Sequence, residues 1–347
     1  MKTITFIIPS FNVERYLNTV LESFITNDEQ VNQEIEVIVV DDGSSDTTAD
    51  IAIKYNTQRP NMFRLLQKEN GGHGSAINIG TLEARGKYFK VIDADDWVVT
   101  ENLKEFLLFL KKTNADVVLT PFHMVDMNTR ERTVQKMYIS NYDRSYTSEE
   151  IASDWKSFDR CTTFHGVTYR TDFYNQNRHE LPEKIFYEDQ EYATIPFCHA
   201  KNVAVLDLMI YQYLVGNSQQ SVALTNQLKR ISHLETIIYR LLDYWNQCYC
   251  EQSFCQEYFL NKIVAIIYSY YFLMCVANTD KRDGRNHCKI INTIIRQKCP
   301  VLYRKIKKNA MLYFLFSYLK LNERSYYRLL HSRISRLIRG SHKIEKE

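Results

Sequence analysis

The sequence predicts an α/β protein over its first 220 residues, a mixed, mainly parallel sheet with flanking helices, joined to a mainly α-helical C-terminal region over 221–347. Three observations carry this. Runs of β-branched and aromatic residues alternate with amphipathic segments four times before residue 113, at intervals of about 25 residues, the crossover length that parallel neighbours need. Each run ends in a loop of Asp, Asn or Gly, so four loops should share one rim. From about Leu224 the alternation stops and the pattern turns helical, rich in Tyr, Leu and Ile.

In order, residues 3–8 read as a buried strand, Pro9-Ser10-Phe11-Asn12 as a turn, and Val13 to Ile25 as a helix presenting Tyr16, Leu17, Val20, Leu21 and Phe24. Ile35 to Val40 is a β-branched strand ending in Asp41-Asp42-Gly43-Ser44, and Asp46 is placed to cap a helix over Thr47 to Tyr55. A third strand, Phe63 to Gln67, leads into Asn70-Gly71-Gly72-His73-Gly74 and a helix through Ala76, Ile79 and Leu82. The fourth strand, Lys87 to Ile92, delivers Asp93, Asp95 and Asp96, and a helix follows with Leu103, Phe106, Leu107 and Leu110 on one stripe. Beyond it, strands are expected at Asp116 to Met124, Val134 to Ile139, Gly166 to Tyr169 and Asp207 to Val215, with a helix over Asp189 to Phe197.

A net charge of +3 on 347 residues does not argue for nucleic acid, although the chain beyond residue 300 is clearly basic. Eight cysteines without a CxxC pair read as free thiols of a reducing cytosol. The N-terminal apolar run, broken by Pro9, is too short for a signal peptide. Ile263 to Val276 falls short of the ~20 residues of a membrane span and reads as a buried helix. Both point to a cytoplasmic protein.

The rim loops carry the candidate chemistry. Asp42 could accept the ring N–H of a pyrimidine or a ribose hydroxyl, or simply belong to a turn. Asn70 and Gly71 open a loop whose backbone N–H groups can reach phosphate, and Lys68 could neutralise it. Asp93, Asp95 and Asp96 at the mouth of an apolar strand call for a cation, Mn²⁺ or Mg²⁺. Glu188 and Asp189 open a helix, where the dipole accounts for acids and a general base is the functional alternative. His73 and His165 could ligate a metal or the acceptor, but lone histidines are more often structural.

PSFNVERYL, VVDDGSSD, ENGGHGSAINIG, DADD and YEDQE occur in the order found in family 2 glycosyltransferases, and over residues 3 to 220 the chain resembles them. The resemblance implies the GT-A fold, a UDP-sugar donor, a metal held by the DxD motif, and inverting, non-processive transfer. It implies that Asp42 meets the uracil with Pro9 or Phe11 along its face. Asp93 approaches donor ribose or sugar, Asp95 holds the metal, and Asp189 is the base supported by Glu188. Two departures stand out: Ala76-Ile77-Asn78 replaces an Ala-Arg-Asn triplet, and the QxxRW box of processive synthases is missing. Tyr213 to Val222 resembles the segment that closes over donor phosphates in non-processive relatives.

The resemblance implies that the acceptor is a glycan or lipid-linked glycan in cell-surface polysaccharide synthesis. Tyr313 to Leu321 is apolar and Tyr326 to Arg339 is basic and amphipathic, so peripheral contact with the inner face of the plasma membrane through 313–339 stands beside packing on the domain or a second subunit. Two other readings remain open: a sugar-nucleotide nucleotidyltransferase, which would not need Asp189, and an inactive nucleotide-binding subunit.

Overall fold

The computed structural model describes residues 2–216, 224–247 and 253–331. The chain divides into two compact units, Met1–Ser218 with Glu251–Phe259, and Gln219–Cys250 with Leu260–Glu347.

Four continuous apolar runs form the parallel half of the first unit's main sheet: β1 (Lys2–Ser10), β2 (Ile35–Asp41), β3 (Phe63–Gln67) and β4 (Gly86–Val91). The full order also uses β5 (Trp97–Val98), β6 (Val117–Leu119), β7 (Phe122–Asp126), β8 (Arg132–Gln135), β9 (Arg144–Thr147), β10 (Val167–Arg170), β11 (Asn202–Val205) and β12 (Tyr211–Val215). Eight strands run β3-β2-β1-β4-β10-β6-β11-β9, and a four-stranded sheet runs β5-β12-β7-β8. β10 is antiparallel to both β4 and β6, which makes the large sheet mixed. Register pairs Ser10 with Asp41, Asp41 with Gln67 and Ile7 with Val91, so the loops leaving β1 to β4 share one edge.

The helices α1 (Glu14–Glu22), α2 (Glu29–Glu34), α3 (Thr48–Gln58), α4 (His73–Glu83) and α5 (Leu103–Lys112) link these strands. Because strand side chains alternate in direction, Phe6, Ile8, Val37 and Val39 share one core with Leu17 and Val20 of α1, Tyr55 of α3 and Phe106 of α5. Each such buried side chain contributes about 2 kcal/mol. On the opposite face α4 lies so close that a Cβ on Gly80 would meet Ile7 Cγ2 at 2.4 Å.

Several local expectations need correction. The segment 116–124 is two strands in different sheets, interrupted at Thr120-Pro121, where proline cannot donate to a ladder. The expected strand 134–139 is Arg132–Gln135, and the one over 207–215 is confined to Tyr211–Val215. β9 and β11, which pair with each other, were not expected. The helix from Asp189 stops at Thr194 and passes into a 3₁₀ turn at Pro196. Asp46 precedes α3 by one more residue than a cap would, accepting from the Thr48 and Glu14 N–H groups.

The second unit is helical, with Ile231–Gln247, Lys281–Lys298, Pro300–Tyr318 and Glu323–His331 as its main described helices. Gln256–Ala277 is long and apolar enough to cross a membrane, yet Ile263, Ile267, Tyr270 and Tyr271 are fully buried. Cys161, Cys198, Cys275, Cys288 and Cys299 are buried free thiols. Residues 217–222 of the expected phosphate-closing segment and 332–339 of the expected basic helix lie outside the described residues.

Candidate active site

Asp42, at the end of β2, is buried and serves the glycine-rich loop. Its Oδ1 accepts from Lys68 Nζ at 2.6 Å and Gly71 N at 2.9 Å, its Oδ2 from Gly72 N at 2.7 Å, and its carbonyl from Asn70 Nδ2 at 3.0 Å. Charge-assisted bonds of this kind hold the loop against the sheet edge. Lys68 is therefore committed to Asp42, where the sequence reading had it facing phosphate. Gly72 sits at φ 88°, and a Cβ there would meet Lys184 N at 2.8 Å. That approach lets Lys184 N donate to Gly71 O at 2.7 Å.

A cavity of about 360 Å³ opens over this loop, lined by Pro9, Phe11, Asp42, Asn70, His73 and Phe186, among others. It thus collects Pro9, Phe11, Asp42 and Asn70, with Gly71 and Lys68 behind Asp42. Phe11 and Phe186, 49% and 40% exposed, set two aromatic rings in the cavity wall. Lys184 also lines the cavity, and the sequence had offered no reason to pick it. In the Ala76-Ile77-Asn78 triplet Ile77 is fully buried, while Asn78 pairs reciprocally with Leu181 at 2.9 and 3.1 Å.

His73 begins α4 and joins the two acidic motifs. Its Nδ1 lies 2.6 Å from Glu188 Oε1 and its Nε2 2.9 Å from Asp93 Oδ1. Burial opposes its charge, but the hydrogen bonds and charges of Asp93 and Glu188 prevail and raise its pKa well above the ordinary histidine value. Asp93 is lowered against its own burial, chiefly by His73. Sequence spacing could not pair His73 with Glu188, 115 residues away.

Asp96 ends the loop between β4 and β5. It is fully buried, accepts from Tyr211 Oη at 2.6 Å and Leu214 N at 2.7 Å, and so ties the loop after β4 to β12. Burial, then the charges of Asp95 and Asp93, raise its pKa well above the carboxylate range. Asp93, Asp96 and His165 bring one potential donor atom each within 4.8 Å of one another. His165 stacks on Tyr213 at 4.2 Å and is lowered to about 4, mainly by burial. Beneath it Lys90, fully buried and lowered to about 7 by burial, donates to the carbonyls of His165 and Val167 at 2.6 and 2.9 Å. Asp95 is half-buried beside this group rather than within it. Carboxylates crowded closely enough to raise the pKa of Asp96 fit a divalent cation, which would relieve their mutual repulsion.

Asp189 follows Glu188 and accepts from Gln190 Nε2 at 2.9 Å. Burial, then the charge of Glu188, push its carboxyl up to about 7. One edge of the sheet therefore offers an aromatic-lined pocket, an acidic cluster, and a carboxyl able to take a proton near neutrality, joined through His73.

The family model for Glycosyl transferase family 2 matches residues 5–186. Poly(ribitol-phosphate) beta-N-acetylglucosaminyltransferase TarS of Staphylococcus aureus is 27% identical over 221 residues, covering 61% of this chain and 35% of that protein. Glycosyltransferase GlyA of Streptococcus pneumoniae is 25% identical over 224 residues, covering 63% and 31%. The chain thus spans about a third of the length of these relatives. A crystal structure of S. aureus TarS 1–349 matches with a TM-score of 0.64 at 22% identity, covering 94% of this chain and 92% of that one. The same fragment in complex with UDP-GlcNAc matches with a TM-score of 0.53 at 21% identity and the same coverage. At these identities the likeness is one of fold.

Proposed function

The chain belongs to glycosyl transferase family 2 and has the GT-A fold, and from that premise we propose that it moves one sugar, with inversion, from a UDP-sugar to a hydroxyl of a glycan or lipid-linked glycan acceptor. Cell-surface polysaccharide synthesis at the cytoplasmic face of the plasma membrane is part of the same proposal. The UDP-GlcNAc complex of TarS supports the donor class.

The observation that carries the reading is Asp189. A carboxyl at about 7 has the proton affinity of a general base working near neutrality. Asp189 takes the acceptor hydroxyl's proton as that oxygen bonds to the anomeric carbon. The bond from that carbon to the diphosphate breaks, and its electron pair leaves with the diphosphate. Glu188, held by His73, is the neighbour whose electrostatic effect adds to burial in raising the Asp189 pKa.

On the donor side, Phe11 and Pro9 face the nucleobase, Asp42 presents the loop with Asn70 and Gly71, and Asp93 meets ribose or sugar. Because Lys68 is paired with Asp42 and Ile77 is buried, Lys184 is the cation we assign to the diphosphate. Asp95 would hold Mn²⁺ or Mg²⁺, which when bound neutralises charge on the leaving diphosphate.

Melting temperatures against a panel of nucleotide sugars, with and without Mn²⁺, test this reading. UDP-sugars should raise the midpoint in a Mn²⁺-dependent way, and a panel in which none does so overturns it.

A further inference from the structure

We propose that the outward face of helix Pro300–Tyr318 is a docking surface for an anionic lipid bilayer. This helix buries Leu302, Ile306, Ala310 and Ser317 along one stripe. The opposite stripe, at helical spacing, carries Met311, Leu315, Tyr318 and the following Leu319, which are 71%, 50%, 62% and 61% exposed. Four large apolar side chains turned to solvent on one stripe mark an interaction site more often than chance surface composition.

Charge selects the occupant. Exposed Arg304, Lys307 and Lys308 precede the apolar patch, and exposed Lys320, Arg324 and Arg328 follow it. Between residues 300 and 331 the single acid is Glu323. The patch itself spans about 12 Å, from Met311 to Leu319 at the helical rise. An apolar patch bracketed by bases at both ends matches a bilayer surface, where the apolar side chains enter the headgroup boundary and the bases meet lipid phosphates. A protein partner with a compact acidic surface would match the bases but leave the apolar middle without a counterpart. Tyr318, with Arg285 over its ring at 4.3 Å, has the amphipathic character suited to that boundary.

The face is fixed to its unit on both sides of the patch. Ser317 Oγ accepts from Arg285 Nη1 at 3.1 Å, and the Tyr326 ring lies 5.1 Å from Phe272. It is therefore presented by a folded helix rather than formed on contact, which lowers the ordering cost of binding. The proposal serves the lipid-linked acceptor reading but is tested without donor or acceptor, so either can fail alone.

The test is co-sedimentation of the full chain with phosphatidylcholine vesicles, with and without phosphatidylglycerol. The chain should pellet with the anionic vesicles alone and be released by salt. Lys307→Gln with Lys308→Gln should weaken partitioning by about 25-fold, at about fivefold per charge. Met311→Glu with Leu315→Glu should abolish it while leaving the circular dichroism spectrum unchanged. Binding that ignores lipid charge, or persists in the Met311→Glu, Leu315→Glu chain, overturns the proposal. So does a wild-type dimer that this pair of substitutions converts to monomer, since that outcome gives the face to a second copy.

Discussion

His73 Nδ1 lies 2.6 Å from Glu188 Oε1, so a histidine of the glycine-rich loop holds the acid adjacent to the proposed base. The same ring reaches Asp93 at 2.9 Å, which places one cation between two carboxylates. His73→Gln keeps a polar group but not that charge or reach. Transfer should fall about a hundredfold, the scale of a misplaced reacting group. The pKa of His73 is raised, so its contribution to stability is complete below the unfolded value of about 6.5 and is lost as pH rises through the folded one. Urea midpoints measured across this window should decline more steeply in the wild type than in His73→Gln, and parallel profiles would count against the bridge.

Asp189 titrates at about 7, so kcat/KM should rise as pH passes about 7 and level off above it. The unfolded carboxyl titrates near about 3.9. The folded state thus holds the proton more tightly, its stability is greatest below about pH 4, and the cost of ionisation is complete above about 7. Asp189→Asn removes that cost. It should melt above the wild type at about pH 8 and with it near pH 4; a lower melting temperature at about pH 8 would refute the assigned shift.

Asp42 takes three donors, one of them a lysine, inside the fold. Asp42→Asn replaces a charged acceptor with an amide whose NH₂ faces a backbone N–H. Breaking a buried pair of this kind costs about 3 kcal/mol. Urea unfolding should show that loss together with weakened UDP binding, and an unchanged midpoint would show that the loop does not depend on the carboxylate.

Asp95 and Asp96 separate a ligand role from a structural one. Asp96→Asn can still accept from Leu214 N and donate to Tyr211 Oη, so it should keep both fold and Mn²⁺-dependent nucleotide binding. Asp95→Asn should keep the fold and lose the Mn²⁺ dependence. Titration calorimetry distinguishes them, and the reverse pattern would move the metal into the Asp93, Asp96 and His165 group.

The parallel half of the sheet was legible because its strands are buried on both faces and read as unbroken β-branched runs, with their acids and glycines collected on one rim. β9 and β11 were not, since short strands with polar ends depend on distant partners for their burial. The site divided in the same way. The family resemblance, and not the spacing, put Pro9 and Phe11 beside Asp42, and the pocket collects them with Asn70 because all four follow or end neighbouring strands. Asp96 could not be told from its acidic neighbours Asp93 and Asp95, because Tyr211 and Leu214, which explain it, lie 115 and 118 residues on. Lys184 and His73 gain meaning only once Gly72 lets residues 181–188 fold back over the loop.

The central claim is that one enzyme unites a UDP-sugar pocket with Asp189 as its base, and UDP release from a UDP-sugar in the presence of acceptor tests it most directly. At about pH 8, wild type and Asp189→Asn should bind UDP equally while the variant releases it at least about a hundredfold more slowly. Equal rates of release by the two proteins would contradict the account.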